Sequence, residues 1–307
     1  MNNPTIVSLI ASATEIVCAL GFEKNLVGRS HECDYPPSIQ NLPVCTGPKF
    51  VPDGSSQEIH QKVQNLMKDA LSVYWVDSDQ LKKLSPSVLL TQTQCEVCAV
   101  SLKDVKDTIS QELGNQCQIL SLEAQSLNEI FKDIEKVAEL LGISERGENL
   151  IGTLKNRLEK INGKIRKGIN RPRVLSIEWM DPLMAAGHWV PEIIDLAGGE
   201  DLLGKAGQKA PYLDWSLLEK MNPDILLLMP CGFDIDRINK EMGLFTKNPV
   251  WKQLKAVKNN RVYLTDGNQY FNRPGPRIID SAEILAEIFH PKMFPFGYKG
   301  KGYVNFQ

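Results

Sequence analysis

Soft donors, amides and aromatic rings crowd five short, turn-rich stretches of this 307-residue chain: 29–37, 91–98, 178–189, 229–233 and 266–277. Thiolate and imidazole groups brought together can hold zinc or another soft-ligand metal, or ligate a bound cobalt. The candidates are His31, Cys33, Cys95, Cys98, His188 and Cys231. A structural zinc site usually shows two close ligand pairs, and only one CxxC pair, Cys95 and Cys98, is present. The alternatives are a redox dithiol at that pair and plain packing, since a free cysteine is a common small core residue. His60 and His290 fall in helical or terminal contexts and are assigned no role.

The aromatic supply points to a different chemistry. A large flat ligand with apolar faces and a polar rim needs aromatic walls and a few amide or hydroxyl partners. Tyr35, Trp179, Trp189, Tyr212, Phe233, Tyr270 and Phe271 can supply walls, and Gln92, Asn268, Gln269 and Arg273 can supply partners. The competing role of each ring is to close a core, and Trp75, in the strand-like run 73–76, is expected to do that.

These stretches need strands to present them. Apolar, β-rich runs at 5–10, 26–29, 88–91, 119–122, 173–177, 225–229 and 262–265 alternate with helix-like segments, which predicts an α/β fold with mainly parallel strands. The polar loops then follow strand ends, where open α/β sheets place ligands. After the first run, Ser12 to Glu15 reads as a capping box that opens a helix stopping at Gly21. The two halves of the chain echo each other. Residues 81–90 match 218–227 in character as short helix, proline stop and buried strand, and 15–21 matches 192–199. Between them, Ile151, Leu154, Leu158, Ile161 and Ile165 step by three or four residues, predicting an amphipathic helix over 144–167. At 1.5 Å per residue it would be a rod of roughly 36 Å. The expected layout is an N-terminal α/β lobe over 1–122, a helical connection over 123–170 and a C-terminal α/β lobe over 171–307. Both lobes are Rossmann-like, with a ligand cleft between them. Pro276 and Arg277 are expected to open a terminal helix whose first amides, with Arg277, hold an acidic or amide group or simply close a rigid turn. The tail 291–307, without helical period, is expected to pack on a lobe or mark a partner surface.

Composition narrows the classes. The chain is 42% hydrophobic and 23% charged with a net charge of -2, so it is globular and lacks the basic excess of nucleic-acid binders. No run approaches the roughly 20 apolar residues of a membrane span. Met1 to Pro4 carries no Lys or Arg, and the apolar run that follows meets Glu15 at once, which reads as no signal peptide. Seven cysteines, an odd number, favour a reducing compartment. The expectation is cytoplasmic, or periplasmic if a leader was removed.

The five stretches in order carry a resemblance across nearly the whole chain. They run Ser30-His31-Glu32-Cys33-Asp34-Tyr35-Pro36, then Thr91-Gln92 with Cys95, Val97, Cys98 and Ala99, then Gly187-His188-Trp189-Val190-Pro191-Glu192, then Met229-Pro230-Cys231-Gly232-Phe233. The last is Asp266-Gly267-Asn268, Tyr270-Phe271 and Arg273-Pro274-Gly275-Pro276-Arg277. The set resembles the cobalamin and siderophore receptors among ABC-transporter solute-binding proteins. That resemblance implies two α/β lobes joined by one long backbone helix, cobalamin or a similar tetrapyrrole as ligand, and an ABC permease as partner if the protein is exported. Tyr270 matches best, as the aromatic before the Phe-x-Arg segment. A metal or metallophore receptor is the second reading. The third is an intracellular enzyme with Cys95, Cys98, His31 and Glu32 as candidate nucleophile, ligand or base; the chain carries no G-x-S-x-G, H-E-x-x-H or P-loop to support it.

Overall fold

Each of the seven apolar runs is a strand in the computed structural model, which describes residues 3–68, 73–92, 117–165 and 169–307. By its internal contacts the chain divides into two compact units. Unit 1 comprises Met1–Gly54, Gln61–Ala124 and Asn128–Gly152, and unit 2 comprises Ser55–His60, Gln125–Leu127 and Thr153–Gln307.

In unit 1, β1 (Ile6–Ser8), β2 (Leu26–Arg29), β5 (Val88–Gln92) and β6 (Gln118–Leu122) form one parallel sheet in the order β2-β1-β5-β6. Ile6, Val7, Leu89 and Leu90 are fully buried, as strands covered on both faces must be. The helix Leu127–Leu140 carries its buried residues Ile130, Ile134, Val137 and Ala138 at helical spacing, on one stripe. A two-stranded antiparallel ribbon, β3 (Thr46–Pro48) with β4 (Tyr74–Val76), sits beside the sheet. Trp75 corrects an expectation here. It is 43% exposed, because on a two-stranded ribbon one face stays open. Its ring lies over Gly47, where any Cβ would collide with it.

The expected capping box is also corrected. The helix runs Ala11–Ala19 with Ile10 as its cap and no side-chain cap bond, and Ser12 Oγ is buried with no hydrogen-bond partner. The turn out of β1 is so tight that Ser12 already lies in the first helical turn, too late to reach back as a cap. Thr14 Oγ1, one turn further on, contacts Ser8 Oγ at 2.8 Å and Ile10 O at 3.3 Å instead. The predicted stop is observed, with Gly21 at φ +82°.

Unit 2 repeats the plan. Its strands are β7 (Arg173–Met180), β8 (Leu183–Ala185), β9 (Glu200–Asp201), β10 (Ile225–Leu228), β11 (Val262–Thr265) and β12 (Tyr303–Asn305). The parallel run β9-β7-β10-β11 has the connectivity of β2-β1-β5-β6, extended by antiparallel β8 and β12. The sequence echo holds at the level of dihedrals. The helices Ser78–Leu84 and Trp215–Met221 are capped by Asp77 and Asp214, and they end on Ser85 and Asn222, both at φ 42°. The second echo ends on Gly198 at φ +84°, matching Gly21. The long helix is Ser144–Ile165, and all five of its predicted apolar positions are buried. The division between units falls within it, after Gly152. Among the described residues no helix is long and apolar enough to cross a membrane.

Candidate functional site

Three parallel strands of unit 2 end in loops that are tied to one another. After β10, Cys231 N donates to Glu178 O at the end of β7 (3.1 Å), and Asn268 N, after β11, donates to Phe233 O (3.1 Å). Asn272 Nδ2 donates to Met229 O at 3.0 Å and to Gly267 O at 2.8 Å, stitching the β10 and β11 loops together. The approach is so close that Gly267 has no room for a side chain. A Cβ there would lie 2.7 Å from Met229 O and nearer still to Pro230 O.

On this platform Trp179 and Phe233 meet at 5.4 Å between ring centroids, tilted by 56°, a favourable aromatic geometry. The Arg237 guanidinium lies 4.8 Å from the Phe233 centroid and pairs with Glu241. It stands four residues beyond Phe233, the helical spacing that could have flagged it. Asn268 Oδ1 accepts from Arg273 at 3.0 Å, so two of the expected polar partners hold each other. Tyr270 is met by the Arg277 guanidinium, 5.6 Å from its centroid, and by the Tyr298 ring at 6.2 Å and 83°. Arg277 is thus engaged by a ring as well as opening the terminal helix Ile278–Phe289. Asp266 caps the turn, accepting from Gln269 N at 2.8 Å and Gln269 Nε2 at 3.0 Å. Burial nonetheless raises its carboxyl above the usual range.

Three expected walls are buried, Phe233 at its contact with Trp179 and two others beneath the last loop. Phe271 is fully buried, and Trp189 is buried with its Nε1 donating to Phe271 O at 2.8 Å. They close the core under the last loop. Tyr212 is 59% exposed and bridges to Met184 at β8. His188, at φ 53°, has a buried Nδ1 without a hydrogen-bond partner. Burial, then Lys209, lowers its pKa.

In unit 1, Gln92 ends β5 and is buried, while Tyr35 is exposed on the loop after β2. His31 Nδ1 contacts Thr46 Oγ1 at 2.9 Å, its ring lies 5.1 Å from Tyr74, and burial followed by Arg29 lowers its pKa. Glu32 accepts from Tyr74 OH at 3.0 Å. Cys33 is buried and takes a 3.0 Å bond from Thr14 Oγ1. Cys95 and Cys98 lie outside the described residues, so the CxxC pair is not placed. Among the described residues no three His, Cys, Asp or Glu side chains gather as a metal site. The proposed donors fall in different units, with His31 and Cys33 in unit 1 and His188 and Cys231 in unit 2.

A family model described as "Periplasmic binding protein" matches residues 6–269. A Bacillus subtilis (strain 168) protein, described as an uncharacterized ABC transporter substrate-binding lipoprotein YvrC, is 24% identical over 296 residues, covering 94% of this chain and 81% of the relative. Two solved structures share the fold. A periplasmic heme-binding protein from Pseudomonas aeruginosa aligns with a TM-score of 0.69 at 20% identity, over 94% of this chain and 93% of that one. The periplasmic vitamin B12 binding protein BtuF of Vibrio cholerae aligns at 0.64 and 19%, over 92% and 95%.

Proposed function

We propose that this ABC-transporter substrate-binding protein, a chain that belongs to the periplasmic binding protein family, captures cobalamin or another tetrapyrrole-sized ligand and releases it chemically unchanged. The observation that carries the reading is the aromatic and amide surface on unit 2. Trp179, backed by the buried Phe233 ring, and Tyr270 stand on loops cross-tied by backbone and Asn272 hydrogen bonds. Rings fixed in this way lose little entropy when a flat apolar face settles on them. Asn268 offers its amide to a polar rim, with the buried Arg273 guanidinium donating to its Oδ1 behind it, and Gln92 and Tyr35 are the contacts proposed in unit 1. That fold neighbours are described as binding heme and vitamin B12 supports the ligand class, with cobalamin the favoured member from the sequence motifs.

The test is titration of the purified protein with hydroxocobalamin and, separately, with hemin, following absorbance and tryptophan fluorescence. A saturable shift at micromolar ligand or below is expected for at least one. The absence of any response to both at that concentration sinks the reading. An ABC permease is the implied partner, which requires the chain to act outside the cytoplasm, against the compartment suggested by its cysteines. Labelling of intact producing cells with a membrane-impermeant amine reagent decides between the two.

A further inference from the structure

Tyr270, the ring best matched to ligand contact, leans on a part of the chain that the ligand-binding motifs do not include. The terminal segment folds back over the helix Ile278–Phe289 and is held there by the buried carboxylate of Glu287. This group accepts from Gly297 N at 2.6 Å, from Tyr298 N and Lys299 N at 3.2 Å each, and from Tyr303 OH at 3.1 Å. The segment then adds β12 to β11, and Gly302 O accepts from Asp266 N at 3.0 Å, at the first residue of the Tyr270 turn. Tyr298 is thereby aimed at the site. Its ring meets Tyr270 edge-on at 6.2 Å, and its hydroxyl donates to Glu283 Oε2 at 2.9 Å. Glu283 is fixed in turn by Arg157 of the long helix, through bonds of 2.9 and 2.7 Å. All of these residues belong to unit 2.

We infer that the C-terminal segment is part of the binding machinery, with Tyr298 a positioning residue that holds the Tyr270 ring in its ligand-receiving orientation against Arg277. The inference rests on the reading of Tyr270 as a ligand contact. A side chain with two rotatable torsions that is held by two neighbours has little orientational entropy left to lose on binding. Removing Tyr298 takes away one of the two contacts, and the cost appears in ligand affinity although the phenol itself is not a wall. Burial, followed by Asp280 and Glu283, raises the phenol's pKa, so it remains a donor across the ordinary pH range.

The test is a double-mutant cycle read with hydroxocobalamin and hemin. Tyr298→Ala is expected to weaken binding by about three- to tenfold, the range an aromatic pair is worth. Tyr298→Phe, which keeps the ring, is expected to stay near wild type. In a Tyr270→Ala background the Tyr298→Ala effect should vanish, because the two act as one unit. A merely stabilising role predicts otherwise: a lower melting temperature with unchanged affinity, or an effect that persists without Tyr270. Either result overturns the inference while leaving Tyr270 as a contact. Should Tyr298→Ala not fold, Tyr298→Leu, which keeps apolar volume without the ring edge, carries the same comparison. A wild type that binds neither ligand, or one indifferent to Tyr270→Ala, removes the underlying reading and this inference together.

Discussion

At the scale of single residues the site separates into rings that are presented and rings that support. Trp179 and Tyr270 are partly exposed on cross-tied loops, whereas Phe271 and Trp189 are buried beneath them. Trp179→Ala is therefore expected to weaken tetrapyrrole binding by about tenfold at nearly unchanged stability, since truncating a presented aromatic costs roughly 1.4 kcal/mol of contact. Phe271→Ala should instead cost about 3–5 kcal/mol of folding stability, as large-to-small changes in a filled core do. Ligand titration set beside thermal melting of the two variants distinguishes these outcomes, and equal stability losses would refute the division. The thiols give a second check. Burial pushes Cys45 and Cys117 up to about 11 and Cys18 up to about 12, and the thiolate is the reacting form. These three should resist alkylation by iodoacetamide at pH 8 in the folded protein and react on denaturation. Peptide mass spectrometry of the labelled sites would expose a fast-reacting Cys45 and contradict the assignment.

At the scale of elements the internal repeat makes a paired prediction. Asp77 accepts from Gln80 N at 2.8 Å, and Asp214 accepts from Leu217 N at 2.7 Å, at the starts of equivalent helices. Asp77→Ala and Asp214→Ala should each cost about 1 kcal/mol. Ser85→Gly should be neutral or stabilising, because glycine takes a positive φ without a Cβ penalty, whereas Asn222→Gly sets that gain against the loss of the 2.7 Å bond that Asn222 Oδ1 accepts from Lys255 N. Denaturant midpoints for the four variants test this, and a destabilised Ser85→Gly would count against the cap geometry. These elements were legible because local rules set them: seven strands from apolar runs, the long helix from Ile151 to Ile165, and the echo from its proline stops. The capping box failed because a strand buried on both faces runs so tightly into the helix that the turn rather than the cap chemistry sets the first helical residue, one place before Ser12. Trp75 misled because its strand-like neighbours do not reveal that the ribbon has only two strands. β12 and Tyr298 were missed as supports of the site because their roles depend on contacts distant in sequence, Thr265 with Tyr303 and Glu283 with Tyr298, whereas Arg237 lies only four residues beyond Phe233 and its spacing was there to be read.

At the scale of the whole molecule, half-buried histidines in both units bear on acid stability in one direction. Burial is the first cause in each case. It depresses His31 in unit 1 and His188 and His290 in unit 2, with Arg29 assisting at His31 and Lys209 at His188. At His290 the bond to Gly198 O opposes the shift, and Arg261 and Arg171 add to it. In the folded chain these rings stay neutral at a pH where the unfolded chain, near the ordinary value of 6.5, has begun to bind protons. The unfolded state then holds more protons, so stability must fall as pH drops through that window. Asp201, Asp266 and Asp280 act in the opposite sense, because burial raises them, and their window extends upward from the ordinary carboxyl value of 3.8. Melting temperature is expected to decline from pH 7.5 to pH 5.5, and His188→Gln should make the decline shallower, since its Nδ1 is already unpartnered and an amide there takes up no proton. A melting temperature flat across that range, or a variant whose slope matches the wild type, would show that the imidazoles are not held neutral by the fold.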